Sequence, residues 1–152
     1  MAKTKVYRYT ECGLDNVLIE GLAVVRDDDG DEVITLPNIN GLHRAIAESI
    51  VNSPSGMTGK ELRFIRTELG RTQAEMGKLV HRDHQSIGRW ERSECPMEGA
   101  AEALIRLFAI EQLQLRTEDG AAEISSLCVP AASGNRHIID GHDPKNYRPQ
   151  AA

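Results

Sequence analysis

Apolar positions change their period along this chain. Between Val6 and Leu36 they alternate or form short β-branched runs: Val6-Tyr7-Arg8-Tyr9-Thr10, Val17 to Ile19 and Leu22 to Val25 read as strands. Glu32 to Leu36 reads as a further strand returning antiparallel, with Asp27-Asp28-Asp29-Gly30-Asp31 as the hairpin loop. Pro37 stops the strand, and Asn40-Gly41 opens a helix from Leu42 to Val51 that puts Leu42, Ala45, Ile46, Ser49 and Ile50 on one face. Asn52-Ser53-Pro54-Ser55-Gly56 then has linker composition. Residues 1–52 are thus expected to form a small α+β module, followed by a linker at 53–57.

From Thr58 the period becomes helical. Thr58-Gly59-Lys60-Glu61 reads as a capping box, with Leu62, Ile65 and Leu69 together on the helix it opens. Thr72-Gln73-Ala74-Glu75 is a second box, sending Leu79 and Val80 inward, and Asp83 is placed to cap a third helix. A fourth, from Glu98 to Leu115, carries Ala101, Leu104, Ile105, Phe108 and Leu115 on a stripe longer than one small domain needs, so its far end is expected to pack against a second subunit. The expected fold class is α+β, with an all-α unit over 58–115. The tail at 116–152 is rich in Ala, Ser, Gly, Pro, Asn and Asp and is expected to be partly disordered, apart from apolar runs at Ile124 to Val129 and His137 to Ile139.

Within the all-α unit, numbering from Gln73 puts Met76 at position four, Gly77 at five, Val80 at eight, Ile87 at fifteen and Trp90 at eighteen. Two helices that cross steeply need a small residue at closest approach and apolar side chains on their inner faces, which is the helix-turn-helix pattern. The second helix of such a pair lies in the DNA major groove, so His84, Gln85 and Arg89 are the candidates for base edges. Arg89 suits guanine and Gln85 adenine. Arg63, Arg66, Arg71, Arg82 and Arg92 are candidate phosphate contacts.

Thr72-Gln73-Ala74-Glu75-Met76 followed by Gln85-Ser86-Ile87-Gly88-Arg89-Trp90-Glu91 resembles the Cro and lambda-repressor type (XRE) helix-turn-helix domain, over roughly Thr58 to Phe108. The resemblance implies that Gln73 caps its helix and, with Thr72, meets a phosphate, and that His84, Gln85 and Arg89 face bases. Two positions depart from the family: the usual turn glycine is His81, and the usually apolar next position is Arg82. Tyr9-Thr10-Glu11-Cys12-Gly13-Leu14-Asp15-Asn16-Val17 resembles the N-terminal region of MqsA-type antitoxin regulators, without the family's zinc ligands, since Cys12 stands alone.

Charge sharpens this reading. Lys and Arg against Asp and Glu number 5 and 9 over residues 1–57, 8 and 5 over 58–93, and 5 and 9 over 94–152; the balances of −4, +3 and −4 make up the net −5. Only the helix-turn-helix segment is basic, which suits local phosphate contacts. Cys12, Cys95 and Cys128 are few, odd and widely spaced, so free thiols in a reducing cytoplasm are expected. No signal peptide or membrane span is read. No cofactor or metal is expected: the acidic loop lacks calcium-ligand spacing, and Cys12 with His43, His81 with His84, or Cys128 with His137 and His142 make no tetrahedral set. No paired carboxylates, activated nucleophile or phosphate-cradling loop points to an enzyme.

The expectation is a homodimeric, cytoplasmic, sequence-specific regulator of transcription, a repressor in type, bound to double-stranded DNA at a palindromic operator. The competing class is a protein-binding antitoxin or antiactivator whose helix-turn-helix has drifted and whose partner is a cognate toxin or other protein.

Overall fold

The computed structural model describes residues 4–128 and 136–150. Their elements run β1 (Thr4–Arg8), β2 (Val17–Arg26), β3 (Glu32–Ile34), α1 (Ile39–Val51), α2 (Gly59–Glu68), α3 (Gln73–Val80), α4 (His84–Glu91), α5 (Gly99–Leu113), α6 (Ala121–Leu127), β4 (His137–Asp140) and β5 (Arg148–Pro149). The coarse α+β class is as expected.

One sheet runs in the order β1-β2-β4-β5, with β3 paired to the far half of β2. Val17 and Ile19 alternate into the core, and Leu22 follows after an interruption at Gly21. The two expected strands are therefore one, β2, kinked at a glycine with φ +81° where a Cβ would fall 2.3 Å from the imidazole of His142. The acidic hairpin loop folds on itself: Asp27 Oδ1 accepts from the backbone N–H groups of Asp29 and Asp31.

Helix α1 starts three residues earlier than its sequence suggested, because Asn38, in the left-handed region, accepts from the N–H of Gly41. Its buried face (Leu42, Ala45, Ile46, Ile50) packs against β4 and β5, and it also meets α2 and α5. One apolar cluster runs from Val17, Ile19 and Ile139 in the sheet through α1 to Leu62, Ile65, Met76, Ile87 and Ile105.

Three expectations about organisation change. The segment 53–57 is not a loose linker. Arg106 of α5, fully buried, donates to the carbonyls of Val51, Ser53 and Ser55 and pairs with Glu102, whose carboxylate also accepts from the N–H of Met57. The described part of the tail is ordered: β4 lies parallel to β2, with Ile139 and Tyr147 in the core, and Ile124 of α6 is buried. The apolar run expected up to Val129 passes outside the described residues beyond Cys128. Finally, α5 ends at Leu113 with Gln114 in the left-handed region, and its stripe packs against α1, α3 and α6 of the same chain, leaving Leu104 as its exposed large apolar residue.

Candidate nucleic-acid interface

The capping chemistry read from the sequence is present. Thr58 and Glu61 exchange both bonds of a capping box at α2, Thr72 and Glu75 do so at α3, and Asp83 Oδ1 accepts the N–H of Ser86 at 2.8 Å to cap α4. That bond holds the Asp83 carboxyl below its usual range, and the equivalent bonds from Thr72 do the same for Glu75. Both caps are thus anions at the positive ends of their helices.

Between α3 and α4 the chain turns through His81, Arg82 and Asp83. His81 takes φ 59° and ψ 41°, the left-handed conformation for which glycine is the usual residue. The Arg82 N–H returns to the Gly77 carbonyl at 2.8 Å. Gly77 is required here for closeness: a Cβ would lie 2.5 Å from the Arg82 carbonyl oxygen. The small residue therefore admits the turn itself, not the body of the facing helix.

Beyond the turn α4 splits by side. Ile87, Gly88 and Trp90 are buried, whereas His84, Gln85 and Arg89 are exposed. Arg89 has no carboxylate within ion-pair reach among the described residues. Lys78 and Arg63 are also exposed.

The expected phosphate contacts divide. Thr72 keeps its hydroxyl on the cap. Gln73 is half-buried, its amide donating to Glu91 Oε1 at 3.3 Å. Glu91 in turn takes the Arg66 fork at 2.6 and 3.0 Å, which makes Arg66 a brace between α2 and α4. Arg71 lies over the Phe108 ring and 3.7 Å from Glu75, Arg82 is paired with Glu98, and Arg92 with Glu94. These three arginines reach solvent with a carboxylate already beside each. Glu98 and Glu94 hold the Arg82 and Arg92 guanidinium groups above their ordinary pKa.

The residues considered as metal ligands are dispersed. His43 is bonded to Tyr9 Oη at 2.8 Å and Glu68 at 2.9 Å and stacks edge-on against Phe64, so it is a core linker and not a polar-face residue. Burial pushes the Tyr9 hydroxyl and the Cys128 thiol each up to about 12. His142 is bonded to Asp140. Among the described residues no group of three or more His, Cys, Asp or Glu is placed to hold a metal ion, and no helix is long and apolar enough to cross a membrane.

One polar network, drawn from residues far apart in the chain, has no local signature in the sequence. His137, buried on β4, is hydrogen-bonded to the Ser49 hydroxyl through Nδ1 (2.8 Å) and meets Glu61 through Nε2. Glu61 also accepts from Asn16 Nδ2 at 3.2 Å and the Thr58 N–H at 2.8 Å. Burial alone would raise the Glu61 carboxyl, but the His137 bond and charge and the Thr58 and Asn16 donors bring it below 4.5. The order Ser, His, carboxylate is that of a hydrolytic triad. Yet Ser49 stands in the last turn of α1, a helix end that presents carbonyls, here bonded to Asn52, Ser53 and Arg106, and not the N–H donors an oxyanion needs. The network reads as a clamp that joins Asn16, just before β2, with β4 and α1 to the cap of α2.

No family model, curated protein or solved structure matches the chain.

Proposed function

We propose that this protein is a sequence-specific DNA-binding regulator, a dimeric repressor in type, that reads the major groove with α4. The observation carrying this reading is the division of that helix: His84 and Gln85 are exposed at its capped end and Arg89 in its last turn, while Ile87 and Trp90 anchor it from behind. An exposed Arg89, in no ion pair among the described residues, matches the bidentate donor that guanine selects, and Gln85 the one that adenine selects. A lone α4 spans few base pairs, so two copies on half-sites about 34 to 36 Å apart would supply the specificity.

The test is fluorescence anisotropy of the protein titrated onto its own upstream DNA and onto scrambled DNA, at two salt concentrations. Tight binding to the first alone, weakened by salt and lost with Arg89→Ala, is the expected result. Equal or absent binding to both would overturn it.

A second reading, that the unit binds a toxin or another protein, is favoured by one observation: Arg71, Arg82 and Arg92 each have a carboxylate at hand, which lowers the local positive field that phosphates seek. In that case copurification with the product of an adjacent gene survives the Arg89→Ala change.

A further inference from the structure

A cleft of about 830 Å³ lies away from α4 and within the size range of small-molecule sites. Its floor is the C-terminal part of α1, which is bonded on two flanks. On one, Asn52 donates to the Arg116 carbonyl, and Glu48 takes both the N–H and the guanidinium of Arg116. On the other, Ser49 meets His137 of β4.

The two flanks carry opposite charge. The strand side offers Arg136 and Arg148, which have no carboxylate within ion-pair reach among the described residues. The side formed by the segment after α5 offers the carboxylates of Glu118 and Asp119, equally without a cationic partner there. Glu48 and Arg116 neutralise one another at the floor and so add no net charge. A purely anionic or purely cationic ligand would meet repulsion on one flank.

We propose that this cleft binds a zwitterion, an amino acid or short peptide. Its carboxylate would face Arg136 and Arg148 and its ammonium Glu118 and Asp119. Two guanidinium forks suit a carboxylate, and two carboxylates suit an ammonium that donates three hydrogen bonds. The site is separate from the DNA-reading helix, so its failure would leave that reading untouched, and the reverse also holds.

The experiment uses the full chain in a thermal-shift titration with two probes, a mixture of the twenty free amino acids and a randomised tripeptide mixture with free termini. A rise in melting temperature with one of them identifies the source. N-acetylated and C-amidated forms of the active mixture should bind at least about tenfold more weakly, since each removes one charge. Arg148→Gln and Asp119→Asn should weaken it similarly while melting like the parent without ligand. No shift with either mixture at millimolar concentration would overturn the proposal, as would undiminished binding of both blocked forms.

Discussion

Arg106 is a charged residue in the middle of an apolar helix, and its surroundings explain how it is held there. A buried guanidinium is costly unless its donors are met, and here three carbonyls of 51–55 and the Glu102 carboxylate meet them. Removing the side chain leaves Glu102 buried without its cation and the three carbonyls without a donor. Arg106→Ala should therefore cost about 3–5 kcal/mol in urea denaturation; a loss below about 1 kcal/mol would show that solvent takes over the role. Glu61 makes the second residue-scale case. Its carboxyl is held below 4.5 in the folded chain, so its contribution is complete above 4.5 and disappears as pH falls through the folded value. Glu61→Gln should lower stability at neutral pH and flatten the acid limb of the stability curve. An unchanged slope below pH 4.5 would assign the acid response to other carboxylates.

At the scale of elements, the helices between 58 and 91 were legible because their signals are local. Capping residues, the residue three positions on and the apolar spacing all sit within a turn or two, so Thr58, Thr72 and Asp83 stand where the sequence put them. Two glycines of this unit differ in what they face, and Gly77 was legible as a small residue but not in its role. Gly77 faces a backbone oxygen at 2.5 Å that cannot swing away, whereas the nearest atom for a Cβ at Gly88 is the tip of Arg92 at 3.0 Å. Gly77→Ala should then cost about 1–3 kcal/mol through forced displacement of the turn. Gly88→Ala should be neutral or stabilise by up to about 1 kcal/mol, as expected of alanine in a helix. Thermal melts of the two variants decide it, and equal losses would mean that Gln73, 3.4 Å from the same Cβ position, is as rigid as backbone. Strand β4 was illegible for the opposite reason. Four residues, His-Ile-Ile-Asp, become a central strand only through parallel pairing with β2, over a hundred residues earlier, and nothing local marks such a partner. Arg106 was hidden in the same way, its carbonyl partners lying on a segment whose composition signals only a linker.

The whole molecule is consequently closed from its C-terminal side. β4 covers the β2 edge at Val17 to Glu20, Ile139 and Tyr147 enter the shared core, and His137 reaches across to the α2 cap. The sheet, the helical unit and the tail therefore depend on one another in a way that a string of separate modules would not. A chain ending at Cys128 loses the β4 pairing, two core side chains and the His137 bond to Glu61 together. It should show a large fall in urea midpoint, or populate a state with helical circular dichroism but no cooperative melt. A midpoint equal to that of the full chain would mean that β2 and the helices form a self-sufficient core. The same dependence governs how tail deletions are read in partner-binding experiments: loss of a complex on truncation follows from unfolding as readily as from removing a grip. Substitutions at exposed tail positions such as Lys145 or Arg148, which leave Ile139, Tyr147 and His137 in place, separate the two.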